Sequence, residues 1–213
     1  MEINLSTKEQ LVIAATSLLG KGGPGAVTLR AVGDAIGVSQ TAPYRHFKDK
    51  RDLMEAVARG SFRQVSEILE EAVRSANSPL EALTFGVREY FVFARRYPLR
   101  YRLLFEIFEQ GGLEREAQRA FDTVTGLITA AQQGGEVQSG DPAQLAALIC
   151  STFHGLANFE LIGQGKKAAI VSDADSLTQL LLNLIVRKAA HQVEQARLQP
   201  ESRSGSQAET AAA

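Results

Sequence analysis

The stretch that decides the fold is Thr28-Leu-Arg-Ala-Val-Gly-Asp-Ala-Ile-Gly-Val-Ser-Gln-Thr-Ala-Pro-Tyr-Arg-His-Phe47. Thr28 is a suitable helix cap, and the apolar residues after it are spaced as the buried face of a short helix. Gly37 suits a tight turn that needs a positive φ. Ser39 is placed to cap a second short helix that is rich in small and polar side chains. This order of cap, apolar face, glycine turn and second cap predicts a helix-turn-helix.

A short second helix of this kind fits the major groove of double-stranded DNA, with its N-terminal side chains on base edges. Residues 28–51 carry five basic and two acidic side chains, although the whole chain has a formal net charge of −1. Basic charge is therefore concentrated around the motif. The candidate DNA-binding residues are Thr28, Arg30, Ser39, Gln40, Thr41, Tyr44, His46 and Lys50.

These candidates are expected to differ in role. Gln40 and Thr41 are placed to read base edges, whereas Tyr44 and His46 are placed to contact phosphate or base. Lys50 is placed to bind phosphate together with the N–H groups at the start of the next helix. The alternatives are a solvated polar surface for Gln40, Thr41 and Lys50, and aromatic packing on the next helix for Tyr44 and His46.

Hydrophobic periodicity is helical along the chain, and no alternating strand is followed by a hairpin turn. The expected fold is therefore all-α. It comprises an N-terminal three-helix helix-turn-helix DNA-binding domain (1–50), a larger helical ligand-binding, regulatory and dimerisation domain (51–197) and a disordered tail (198–213). Expected helices span about Ser6–Leu19, 28–36, 39–46, Lys48–Ala76, 79–96, 98–109, 113–132, 142–163 and 173–196, and the glycine-rich segment 20–25 is expected to end the first.

Composition narrows the functional class. The lone Cys150 cannot form an internal disulfide, which fits a reducing cytoplasm, and we expect no signal peptide and no membrane-spanning helix. The three histidines lie on separate predicted helices, and no metal-binding, nucleophile-elbow or dinucleotide motif occurs. We therefore expect no catalytic residues, no metal, no cofactor and no membrane partner.

The second half of the chain is rich in aromatic residues, which predicts an apolar cavity within a helical domain. Candidate ligand-binding residues are Arg102, Phe105, Cys150, His154 and Asn158. The alternatives are a hydrogen-bonded core histidine for His154 and a small core residue for Cys150. The last two predicted helices, 142–163 and 173–196, are apolar on more than one face, which predicts a four-helix interface between two copies of the chain.

The segment Gly37-Val-Ser-Gln-Thr-Ala-Pro-Tyr-Arg-His-Phe-Lys-Asp-Lys50, leading into Leu53, resembles the DNA-binding domain of the tetracycline-repressor (TetR/AcrR) family. In that family an aromatic-x-His/Tyr-Phe segment ends the recognition helix. The similarity covers about residues 6–57. Residues 94–105 and 153–157 are similar to the regulatory domain of one subfamily, whose Trp-His-Gly signature has Phe153 in place of the tryptophan here.

Two positions depart from the family pattern. Gly33 stands where the family more often has alanine, which suggests close packing against the next helix. Pro43 lies inside the recognition helix, where its missing N–H removes a hydrogen bond unless it falls in the first turn. The helix is therefore expected to start late, near Gln40 or Thr41.

The resemblance implies a ligand-responsive transcriptional regulator, in particular a repressor that binds a palindromic operator as a homodimer and is released by a small apolar effector. In the family, ligand in the C-terminal cavity shifts the long helix that here starts near Lys48, so that the two recognition helices no longer match successive major grooves. One alternative is a regulator without a small ligand, controlled by a protein partner or by its own abundance. The other alternative is an enzyme.

Overall fold

The computed structural model describes residues 5–162 and 174–186, which form an all-helical chain. Its α-helices are α1 (Thr7–Ala26), α2 (Leu29–Ala35), α3 (Lys50–Ser75), α4 (Pro79–Arg96), α5 (Pro98–Glu109), α6 (Glu114–Gln133), α7 (Pro142–Ile162) and α8 (Ala174–Ile185), with a 3₁₀ helix at Pro43–Arg45. Within the described ranges the one β-type pairing is an isolated bridge between Val137 and Val186. The all-α prediction is confirmed. The predicted tail and the end of the last predicted helix lie outside the described residues.

Helix α1 begins as the sequence predicts and ends later. The Ser6 hydroxyl accepts a hydrogen bond from the Glu9 N–H, and the Glu9 carboxylate accepts one from the Ser6 N–H. The glycine-rich segment interrupts the helix at Gly23 (φ 69°), which is later than the predicted end near Leu19, and a further helical turn follows the kink to Ala26. Leu19 and Val27 are both fully buried, so packing on either side of the segment outweighs the poor helix propensity of its glycines.

The turn after α2 matches the prediction, but the second helix of the motif does not. The Thr28 hydroxyl caps α2 by accepting from the Ala31 N–H, and Gly37 has a φ of 72°. The predicted helix over 39–46 is instead a run of turns followed by the 3₁₀ helix. Pro43 has no N–H to donate to the Ser39 carbonyl, so the chain tightens there and the Ala42 N–H bonds that oxygen at 2.9 Å.

The predicted cap at Ser39 is also absent. Its hydroxyl lies 3.3 Å from the Thr41 hydroxyl, and no side chain caps the 3₁₀ helix. The two departures from the family pattern instead fit one another: a Cβ added at Gly33 would lie 2.9 Å from Cγ of the buried Pro43. Gly33 therefore allows the proline ring to pack directly on α2.

The remaining helices agree with their predicted bounds within a residue or two over the described ranges. Helix α3 occupies the centre, where it packs against α1, α4, α5 and α6. A single apolar core runs from α1 through α3 to α7 and α8, so the DNA-binding motif and the regulatory half share buried residues. None of the described helices is long and apolar enough to cross a membrane.

Candidate nucleic-acid interface and pocket

The reading segment, residues 39–46, presents polar side chains on a fixed backbone. Gln40 and Thr41 are exposed, and the Tyr44 side chain is 60% exposed. Pro43 packs against α2, and Phe47, which is 1% exposed, anchors the end of the segment in the core. Such a segment is able to offer hydroxyl, amide and phenol groups to base edges or phosphates without rearranging its backbone.

The other candidate DNA-binding residues surround this segment. Thr28 is occupied as the cap of α2, and Arg30 is an exposed residue whose guanidinium lies 3.9 Å from Asp34. His46 is half-buried. The Lys50 ammonium donates to the Pro24 carbonyl oxygen at 2.6 Å, which links the start of α3 to the kinked end of α1 and leaves two of its protons for other acceptors.

The N-terminus of α3 is more acidic than a phosphate site would require. The Asp49 side chain accepts from the Asp52 N–H, and the Asp52 carboxylate accepts from the Lys48 N–H, each at 3.0 Å. These carboxylates occupy backbone donors that the sequence analysis assigned to phosphate. Lys48, Lys50 and Arg51 are exposed cations at this end of α3, and neither Lys48 nor Arg51 was among the candidates although both are adjacent to them.

A pocket of about 460 Å³ lies between α5 and α7. Aromatic rings form part of its wall, and charged and amide groups form the rest. Its lining consists of Tyr101, Arg102, Phe105, Glu106, Glu109, His154, Gly155 and Asn158. The volume is in the range that holds a small organic molecule.

His154 is the most constrained polar residue of this pocket. Its Nδ1 lies 2.8 Å from the Tyr90 hydroxyl, and its ring meets the Phe105 ring with centroids 4.8 Å apart. Burial lowers the pKa of His154 to about 4, so the imidazole is neutral at pH 7. Burial also raises the pKa of Tyr101 to about 12 and that of Tyr90 well above its ordinary value, so both phenols keep their protons.

The structure brings four of the five candidate ligand-binding residues together: Arg102, Phe105, His154 and Asn158. Cys150 lies one turn before His154 on α7 and is not among the lining residues, and burial raises the pKa of its thiol. Sequence reasoning missed Glu106 and Glu109, which follow Arg102 at helical spacing on α5. Both lie on the same helix face as Arg102, four and seven residues further on, and this spacing is the signal that could have found them.

Large apolar side chains are exposed along α7 and α8. Leu148 (52%) and Phe159 (45%) are about three turns apart on α7, and Leu180 (54%) and Leu184 (62%) are about one turn apart on α8. Each pair therefore lies on one face of its helix. Leu182 is buried in the core, so α8 uses different faces inside and outside.

Family models match both halves of the chain. The one described as bacterial regulatory proteins, tetR family, matches residues 7–57, and the one described as tetracyclin repressor-like, C-terminal domain, matches residues 80–185. The chain belongs to the tetR family. This tetR-family chain is a DNA-binding transcriptional regulator rather than an enzyme. Membership of the Trp-His-Gly subfamily stays a prediction.

Relatives of this tetR-family chain include a protein named as a repressor and a protein named as an activator. The chain is 26% identical to the HTH-type transcriptional repressor BepR of Brucella suis biovar 1 over 182 residues, which cover 76% of this chain and 87% of BepR. It is 30% identical to the HTH-type transcriptional activator FasR of Mycolicibacterium smegmatis over 97 residues, 46% of this chain and 44% of FasR.

The fold is shared with solved structures of the family. A TetR-family transcriptional regulator from Pectobacterium atrosepticum superposes with a TM-score of 0.70 at 23% identity, covering 85% of this chain and 95% of that one. The tetR-family architecture is therefore present along most of the chain, including the part that carries the pocket.

Proposed function

We propose that this regulator binds a palindromic operator as a homodimer, with residues 39–46 of each copy reading one half-site. The observation that carries the proposal is the set of exposed polar side chains on a backbone held by Pro43 and Phe47. Two copies related by a two-fold axis offer two equal reading segments, which match half-sites about one helical turn or a little more apart. Repression is the proposed effect on transcription.

The second copy is proposed to cover the apolar faces of α7 and α8. Four exposed side chains support this: Leu148, Phe159, Leu180 and Leu184. Two helices from each copy would bury these faces in a four-helix contact. The proposed organisation keeps residues 1–50 as the DNA-binding domain and 51–197 as the regulatory and dimerisation domain. The lone Cys150 supports a cytoplasmic location.

Leu184→Glu tests the dimer and the operator together. A charge at the centre of a buried contact lacks a partner, so light scattering is expected to detect monomers and operator binding is expected to fall with dimerisation. Val73→Glu is the matched control, because Val73 is also an exposed apolar residue (47%) but lies on α3. Selection of binding sites from random DNA by the unsubstituted protein must return a palindrome; any other result contradicts the proposed reading mode.

The pocket between α5 and α7 is proposed to bind a small effector that releases DNA. Its aromatic wall suits a mainly apolar body, and His154 or Asn158 suits one polar group on it. If the effector weakens DNA binding by some factor, DNA weakens effector binding by the same factor. The test is titration of a bound effector with and without operator DNA. Equal affinities would exclude release by that effector and favour a regulator controlled without a small ligand.

A further inference from the structure

Consecutive residues near the start of α5 contact the central helix α3 and line the pocket. Nε of Arg100 donates to the Ser61 hydroxyl at 2.9 Å, and its Nη2 donates to the Gln64 amide oxygen at 2.8 Å, both on α3. The next two residues, Tyr101 and Arg102, line the pocket. Here α5 therefore contacts α3 on one side and lines the pocket on another.

Arg100 is held there without a carboxylate. Its guanidinium carbon lies 4.7 Å from the Tyr97 ring centroid and 5.3 Å from that of Phe93. In the described part of the chain no carboxylate pairs with it. Burial lowers the pKa of Arg100. A cation bound by neutral acceptors and ring faces is easier to displace than one in a buried ion pair.

The α3 side of this contact lies where α1 packs against α3. Ser61 is 1% exposed, and its hydroxyl donates to the Val57 carbonyl at 2.9 Å, so its oxygen is left to accept from Arg100. At the preceding residue, a Cβ added at Gly60 would lie 4.0 Å from a methyl of Val12 on α1. Arg100 therefore contacts α3 at the level where α1 packs on it.

The far end of α5 is joined to α3 as well. The Arg51 guanidinium, in the first turn of α3, lies 3.4 Å from the carbonyl oxygen of Gln110, which follows the last residue of α5. The two helices thus meet through polar contacts at both ends of α5. A movement of α5 acts on α3 along a length that includes the start of α3, next to the reading segment.

We propose that Arg100 is the positioning residue through which occupancy of the pocket changes the position of α3. A ligand that displaces Tyr101 or Arg102 shifts the first turn of α5, and Arg100 transmits the shift to Ser61 and Gln64. The distance between the two reading segments of the dimer then changes. This inference rests on the proposed function, because it requires that pocket occupancy opposes DNA binding.

A substitution that places a side chain inside the pocket tests the proposal without knowledge of the effector. Gly155 lines the pocket, and a Cβ added there meets no atom within 4 Å, so Gly155→Phe puts a ring into the pocket. The probe is the palindromic duplex selected by the unsubstituted protein. We expect Gly155→Phe to weaken binding to this duplex by about five- to 150-fold. In Arg100→Lys or Gln64→Ala backgrounds we expect Gly155→Phe to weaken binding by less than about threefold.

Controls separate coupling from folding. Gly126→Phe puts the same ring on the exposed side of α6, where an added Cβ also meets no atom within 4 Å, and is expected to leave DNA binding unchanged. Arg119→Lys, an exposed arginine on α6, repeats the Arg100→Lys change elsewhere and should leave the full effect of Gly155→Phe. Thermal unfolding and light scattering accompany every variant, and Asn158→Phe replaces Gly155→Phe if the oligomeric state changes. Gln64→Ala serves alone if Arg100→Lys does not fold.

The outcomes distinguish the two proposals. If the tethered ring weakens DNA binding equally with and without the Arg100 and Gln64 substitutions, the role of Arg100 is overturned and effector control remains. If the ring leaves DNA binding unchanged in the otherwise unsubstituted protein, both the role of Arg100 and the effector pocket are overturned. A loss of the effect in both backgrounds, with retained folding and dimerisation, supports the proposal.

Discussion

The reading segment and the pocket differ in whether packing holds the backbone or the functional side chains in place. In the reading segment the backbone is packed through Pro43 and Phe47, while the polar side chains of Gln40 and Thr41 project into solvent. In the pocket the side chain of His154 is itself held by a hydrogen bond and by ring contacts. On a surface that binds DNA, the polar side chains are hydrated in the free protein and exchange water for base edges on binding. In a pocket that selects a small molecule, the polar side chains are already held in the binding position.

The largest expected effect separates Tyr44, in the reading segment, from Phe47, the residue that follows the segment. Phe47→Ala empties a buried site (1% exposed) and should cost about 3–5 kcal/mol of unfolding free energy. Tyr44→Ala, at a 60% exposed site, should change that free energy by less than about 0.5 kcal/mol and still weaken DNA binding. Urea unfolding and operator titration measure the two quantities. Equal destabilisation by both changes would contradict the distinction between fixed backbone and free side chains.

The next effect tests the fixed side chain of the pocket. Since burial lowers the pKa of His154 to about 4, while an unfolded histidine has a pKa of about 6.5, the unfolded chain binds more protons between these values. The contribution to stability is complete above pH 6.5 and is lost as the pH falls towards 4, at a limiting slope of about 1.4 kcal/mol per pH unit.

His154→Gln removes this titration, whereas the carboxylates titrate in both proteins. The unfolding free energy of the unsubstituted protein minus that of His154→Gln should therefore fall as the pH is lowered from 7 to 4, with the slope given above. A difference that does not change with pH would mean that His154 is not a buried neutral imidazole.

A smaller effect tests the fixed backbone of the reading segment. Gly33→Ala gains helix propensity but brings a Cβ within 2.9 Å of Pro43, so we expect a net loss of about 1–2 kcal/mol. Adding Pro43→Ala should recover that loss. Gly20→Ala is the control, because its Cβ meets no atom within 4 Å and should stabilise α1. Additive losses at the two positions, measured by urea unfolding, would show that they do not contact each other.

The smallest effect concerns the side chains around the reading segment. Lys50→Ala should weaken binding to all DNA sequences alike and reduce the salt slope of binding by about 1, because one phosphate contact is lost. Thr41→Ala should leave the salt slope unchanged and relax base preference at one position. Titrations at several salt concentrations against selected and altered duplexes distinguish the two. A change of base preference on Lys50→Ala would contradict its assignment to phosphate.

Local chemistry explains why most of the fold was predictable. Caps such as Thr28, the positive φ at Gly37 and the proline starts of α4 and α5 act within one turn of chain, so they are readable from sequence. The errors arose where one residue or its packing changes the course of a helix. The chain kinks at Gly23 and then resumes a helical turn between the buried Leu19 and Val27, and the short helix of the motif tightens because Pro43 lacks an N–H.

The pocket was predictable only in part, because its partners are distant in sequence. The aromatic content and His154 were visible, but the hydrogen bond between His154 and Tyr90 joins residues 64 positions apart. The same holds for Arg100, whose acceptor Ser61 is 39 positions away. No local pattern distinguishes such an arginine from a solvated one, so its role emerges only when α3 and α5 are packed together.

The contact between Gly33 and Pro43 also makes one order of substitution at these two positions less destabilising than the other. Glycine at position 33 costs a helix about 0.5–1 kcal/mol whatever stands at position 43, whereas proline at 43 beside a Cβ at position 33 carries the net loss of about 1–2 kcal/mol expected for Gly33→Ala. The less destabilising order of substitution therefore has glycine first, and once the proline is present any larger residue at position 33 is destabilising. In a lineage that carries both, position 33 no longer varies freely, and the evolution of the reading segment is restricted by a residue buried beneath it.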